Sequence, residues 1–155
     1  MSRSFLSLIG EIMISQTSEY ALRAVVGLAQ NPDKPHTTAE IARLTKAPEH
    51  YLSKVLLMLA KHEVVFSKKG LHGGYMLAHP PEQLPLLNVI NAVDPIKQIK
   101  SCPLKLKTHG TNLCRLHKRL NDSIALMEEM FRTFTVGTIL SEPTKSIPLC
   151  ESIKK

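Results

Sequence analysis

Cysteine is scarce in this chain: Cys102, Cys114 and Cys150 are the three in 155 residues. They are too few and too unevenly spaced to staple a secreted fold. No apolar run approaches the length of a membrane-spanning helix. The opening MSRSFLSLIGEIM is briefly apolar, but Glu11 interrupts it and no small-residue cleavage site follows. Together these absences predict a cytoplasmic protein with no membrane partner. Internal repeats and low-complexity tracts are missing too, as are a nucleotide loop and a nucleophile elbow. Gly70, Gly73 and Gly74 have the wrong spacing for a dinucleotide fingerprint, and a turn explains them better. With no oxyanion or cofactor motif near Cys102, Cys114 and His117, nothing here requires an enzyme. One absence is local. No acidic residue stands between Asp94 and Asp122, whereas Lys97, Lys100, Lys105, Lys107, Arg115, Lys118 and Arg119 all do.

What is present is ordinary soluble composition, 43% hydrophobic and 21% charged, with room for one domain and an extension. The formal net charge is +7, which favours a polyanionic partner. Residues 1–15 read as an N-terminal extension, with Met13 standing as an alternative start to Met1. The first helix is TSEYALRAVVGLAQ, capped by Thr17 or Ser18, with Ala21, Ala24, Val25 and Leu28 inward and Asn31-Pro32 ending it. In TTAEIARLT, Thr37 and Glu40 have capping-box spacing.

From Ala47 to Ala78 the chain reads as a helix feeding a tight hairpin. Pro48 suits the first helical turn and Glu49 the positive end of the dipole. Leu52, Val55, Leu56 and Leu59 form a single stripe at helical period. Val64, Val65 and Phe66 then start a strand, the glycines turn it, and Tyr75-Met76-Leu77 returns. Lys68, Lys69 and His72 place cations and a histidine at the hairpin tip. Short helix, brief turn, second helix and basic hairpin make a winged helix-turn-helix, with residues 48–62 in the recognition slot. The fold class is therefore mainly α with a small β-hairpin wing, followed by a long C-terminal helix.

Downstream, Pro85 leads a helix over roughly Leu86–Val93, and residues 94–112 show no sustained period. From 113 to 140 the chain is helical again. Leu113, Leu116, Leu120, Ile124, Met127, Phe131 and Phe134 advance in steps of three or four, a heptad-like seam. Such a helix after a complete DNA-binding unit dimerises, or else folds back on its own domain. Residues 141–155, with Pro143 and Pro148, read as a loose tail.

These segments together resemble the Rrf-two-type winged-helix transcription regulators, over about Met13 to Leu140. The resemblance is carried by TSEYALRAVVGLA, TAEIARLT, YLSKVLLMLAKHEVV, KKGLHGGYMLAHPPEQL and the C-x11-C-x2-H of Cys102, Cys114 and His117. It implies a homodimer that crosses its long C-terminal helices and binds a palindromic double-stranded operator, with Pro48, His50 and Ser53 reaching base edges. Lys54 joins them as a candidate contact. Relatives often carry a carboxylate where this chain has Ser53, and an Arg-Gly-Pro-Gly-Gly-Gly wing where it has Lys69-Gly70-Leu71-His72-Gly73-Gly74. Lysine lacks arginine's planar fork, so Lys69 is expected to supply charge more than base readout. Tyr51 is a candidate contact too, although packing at the helix–wing junction is the stronger reading for it.

The same resemblance raises a cofactor. Cluster-binding relatives have C-x5-C-x5-C, but here Thr108 stands in the middle, and a hydroxyl is no normal substitute for a thiolate. His109 flanks that gap, His117 follows Cys114 by one turn, and Glu19 aligns with a carboxylate that, in some relatives, caps the cluster from the other subunit. Four readings stay open: an iron–sulfur cluster completed by His and Glu, a zinc site of Cys102, His109, Cys114 and His117, a Cys102–Cys114 disulfide switch, and no cofactor. The last ranks first, the cluster second, zinc and the disulfide behind. The expected function is a dimeric, sequence-specific repressor, redox- or metal-responsive if a site forms, open to a small-molecule or protein effector. The alternative is a winged-helix interaction module that regulates a partner enzyme or regulator without specific DNA binding.

Overall fold

The structure, a computed structural model, describes residues 14–109, 112–144 and 146–149. The N-terminal extension before Ile14, the start at Met13, and Cys150 lie outside the described residues. Six α-helices and one two-stranded hairpin make up the described chain: α1 Gln16–Ala29, α2 Thr38–Thr45, α3 Glu49–Lys61, β1 Val65–Lys68, β2 Gly74–Leu77, α4 Leu86–Val93, α5 Arg115–Thr133 and α6 Val136–Ser141. A single 3-10 turn over Pro81–Gln83 precedes α4. No described helix is long and apolar enough to cross a membrane.

The core forms where α1, α2, α3 and α4 converge. Ala21, Ala24, Val25 and Leu28 of α1 meet Ile41 of α2, Leu52, Val55, Leu56 and Leu59 of α3, and Val89 of α4. Small residues on α1 allow close approach of its neighbours. The expected cap of α1 is corrected. Ser15 caps it, accepting from the Ser18 amide at 3.2 Å, while Ser18 lies fully buried inside the helix. Three hydroxyl residues in four could cap, and burial of Ser18 decides between them. The Thr37–Glu40 capping box of α2 is formed. Pro48 is the cap of α3 itself, its carbonyl accepting from the Leu52 amide at 2.9 Å.

In the wing, Val65 pairs with Leu77 and Lys68 with Gly74, so Lys68 closes the ladder and the tip is residues 69–73. His36 adds a third edge, exchanging two backbone hydrogen bonds with Tyr75 at 3.0 and 2.8 Å. Gly74 makes this approach feasible, since a Cβ there would stand 2.5 Å from the His36 carbonyl oxygen.

Two features of the C-terminal half differ from expectation. The helical stretch to Leu140 is interrupted: Phe134 is extended, and Thr135 caps α6 through the Thr138 amide at 3.1 Å. The tail is also not loose through Leu149. Gln30 donates to the Pro148 carbonyl at 2.7 Å, and Leu149 packs against the core beside Gly27 and Leu44. Proline ends a helix, but an apolar residue beyond it can still find a groove.

Candidate nucleic-acid interface

The turn of Lys46, whose backbone is left-handed at φ 53°, redirects the chain from α2 into α3. Leu52, Val55, Leu56 and Leu59 tie one side of α3 into the core, which leaves the opposite side to solvent. That outer face carries His50, Ser53 and Lys54, with Pro48 exposed at its start. Ser53 donates to the Glu49 carbonyl at 2.9 Å, so its hydroxyl proton is engaged while its lone pairs stay available to a donor. Leu57, one turn further on the same face, is 63% exposed. Residue identity alone did not single it out, because leucine in a helix reads as core; only its phase relative to Leu52 and Leu56 sets it apart.

Tyr51 does not belong with these residues. Its hydroxyl hydrogen-bonds Thr17, and its ring meets Tyr20 edge to face with centroids 5.6 Å apart. The 3.6-residue period turns it toward α1, about 100° around the helix from His50 and about 160° from Ser53. It ties the start of α3 to the start of α1.

The wing tip is a closed β-turn: the Gly73 amide donates to the Gly70 carbonyl at 2.9 Å. Gly70 sits at φ 115°, a conformation that disfavours side chains. Lys68, Lys69 and His72 are all exposed there. An exposed helix face with polar side chains and a cationic wing turn can together place hydrogen-bonding groups in a groove while lysines neutralise phosphates.

The cysteine loop has a different geometry. Cys102 is buried, with its Sγ 3.6 Å from His109 Nδ1, and Cys114 caps α5 with its Sγ 3.4 Å from His117 Nδ1. Both thiols are free. The sequence candidates thus come together as two separate Cys–His pairs. Among the described residues no three His, Cys, Asp or Glu side chains converge where they could hold a metal ion. Glu19 is engaged elsewhere, in a 2.7 Å ion pair with Arg23, which also donates to the Thr45 carbonyl. Thr108 is exposed. Within one chain these donors stand as two Cys–His pairs, not as a converged four-ligand set. The loop is fastened to α5 instead: Asn121 Oδ1 accepts from the Ile99 amide at 2.6 Å, and Gln98 donates to Glu128 at 2.7 Å.

Along the expected seam of α5, exposure changes with position along the helix. Ile124 and Met127 turn toward α4, bordering a small cavity of about 230 Å³ with Ile90 and Ile96. Leu116, Leu120 and Phe134 stay exposed, joined by Leu126 and Met130, which the heptad reading did not include. Leu113 and Phe131 are half-buried. No residue of α5 is fully buried.

Residues 14–142 match the model of the Rrf2 family, described as iron-dependent transcriptional regulators. An HTH-type transcriptional regulator of Aquifex aeolicus is 29% identical over 139 residues, covering 88% of this chain and 96% of the relative. The HTH-type transcriptional regulator IscR of Sodalis glossinidius is 29% identical over 129 residues, 83% of this chain and 78% of that one. Among solved structures, IscR of T. potens superposes with a TM-score of 0.69 at 21% identity, over 84% of this chain and 87% of that one. CymR, the global cysteine regulator of B. subtilis, superposes at 0.68 and 23% identity, over 86% and 99%. Those two structures share the fold of this chain, winged helix and C-terminal helix together. With the family match spanning nearly the whole described chain, the protein belongs to the Rrf2 family and is a DNA-binding transcriptional regulator, not an enzyme.

Proposed function

We propose that the chain acts as a cytoplasmic homodimer that represses transcription from a two-fold symmetric operator. The observation that carries this reading is the shared exposure of the α3 face and the basic wing turn, on a domain whose other α3 face is fully consumed by the core. Pro48, His50, Ser53 and Lys54 read base edges, while Lys68, Lys69 and His72 follow the backbone. The outward apolar residues of α5 support a second copy as partner, since a long helix with no buried residue gains little from its own domain. The working division is a DNA-binding unit over 16–93, a loop over 94–112 and a dimerisation segment over 113–140. Ile99 and Gln98 link that loop to α5, so an effector held by its cations would act on the dimer arrangement.

The test is quantitative DNA binding across a salt series. Lys69→Ala is expected to weaken binding to every sequence and to lower the salt slope by about one. His50→Ala is expected to change which bases are preferred while leaving that slope intact. A Lys69→Ala variant with unchanged affinity and slope would remove the wing from the interface.

A further inference from the structure

Leu71 is 96% exposed, and it stands at the apex of the wing. A scattered surface leucine carries no message by itself. This one differs in how it is held. The Gly73 amide closes the turn on the Gly70 carbonyl, which makes Leu71 and His72 its two central residues. The ladder from Val65↔Leu77 to Lys68↔Gly74 braces the turn, and the exchange between Tyr75 and His36 braces the ladder. The side chain therefore stands at the end of a hydrogen-bonded hairpin, with exposed Lys68 and Lys69 before it in the chain and exposed His72 after it.

A leucine flanked this way is poorly placed for an apolar protein surface, because docking there would strip water from the neighbouring lysines. Double-stranded DNA suits both chemistries at once. Its phosphates neutralise the cations along the groove walls, and its stacked bases offer an apolar interior wherever a step can be opened. Resting on the proposed DNA-binding role of the wing, we infer that Leu71 is an apolar wedge inserted from the minor groove at one base step in each half-site. The lysines hold the turn over the groove, and Leu71 partly unstacks the step and bends the duplex. Pyrimidine–purine steps open most easily, so the operator should carry TA or CA/TG beneath each wing. Specificity at that position would then come from deformability, without a hydrogen bond to a base.

The experiment uses the full chain and a duplex enriched by it from a random pool. 2-Aminopurine replaces adenine at successive steps, and emission is read on binding, with bend angle measured by end-to-end energy transfer. Emission is expected to rise at one step per half-site. Leu71→Ala is expected to lose that rise and the bend, with roughly tenfold weaker binding, about the value of one buried leucine side chain, and an unchanged salt slope. Leu71→Met should keep the emission, and Lys69→Ala should keep it while lowering the slope. A wild-type complex with no emission change at any step overturns the wedge, as does a Leu71→Ala variant that matches the wild type in emission and bend. Failure of the wild-type chain to enrich any sequence overturns the DNA-reading role and the wedge with it; binding without unstacking overturns the wedge alone.

Discussion

Ser15 and Glu40 act at the mouths of two helices. The Ser15 hydroxyl satisfies one otherwise open amide at the start of α1, and Ser15→Ala should cost about 1 kcal/mol, read as a lower urea midpoint with an unchanged m-value. Glu40 accepts from the Thr37 backbone amide at 2.8 Å and from its hydroxyl, and these bonds hold its carboxyl below the usual range. The folded value lies below the unfolded one. Its stabilising effect is thus fully present above the ordinary carboxylate range and is lost as pH falls through the lowered value. The stability gap between wild type and Glu40→Gln should accordingly shrink on acidification, and a gap that widened toward low pH would contradict this cap. The two caps also mark what was legible. Thr37-x-x-Glu40 announces itself by spacing. Ser15 does not, because Ser15, Thr17 and Ser18 are chemically equivalent in the sequence, and only burial of Ser18 against other helices selects the first.

The elements were readable where one periodicity served one partner. α3, with a single apolar stripe, and α4, introduced by Pro85, stand where the pattern placed them. Readability fell short in α5, whose apolar residues do not share one environment. In α5 the apolar residues follow one heptad seam, yet Ile124 and Met127 border a cavity beside α4 while Leu116 and Leu120 are exposed. These four lie within about a quarter-turn of one another, so what separates them is where along α5 the neighbouring helix reaches, which no sequence pattern states. The break after Thr133 was missed for a related reason: Phe134 satisfies the heptad, although Thr135 and Thr138 start a new helix. α6 is then held against the Pro81–Gln83 turn through Gly137, where a Cβ would lie 2.8 Å from the Glu82 Cα and amide nitrogen. Backbone cannot yield as a side-chain tip can. Gly137→Ala should destabilise the chain by roughly 1–3 kcal/mol in chemical denaturation, and a neutral effect would argue that α6 is not docked there.

At the scale of the molecule, a reading domain is fully packed on its own and a helix is not. The outward row on α5 can be tested apart from the fold: Leu116→Lys with Leu120→Lys should leave the far-ultraviolet circular dichroism intact, since neither side chain is buried. The same double variant should sediment as a monomer and lose most of its operator affinity. Lys69 and His50, singled out by residue type, are both exposed. The cysteine region was legible only in its membership, because pairing Cys102 with His109 and Cys114 with His117 depends on turns that no spacing rule describes.

The most direct measurement is footprinting, with stoichiometry by mass, of the wild-type chain on DNA it has enriched from a random pool. Two protomers should protect two symmetry-related half-sites centred about one helical turn apart, roughly 34 Å, or a multiple of it. A pool that yields no common sequence, or a single protomer covering one asymmetric site, would contradict the account.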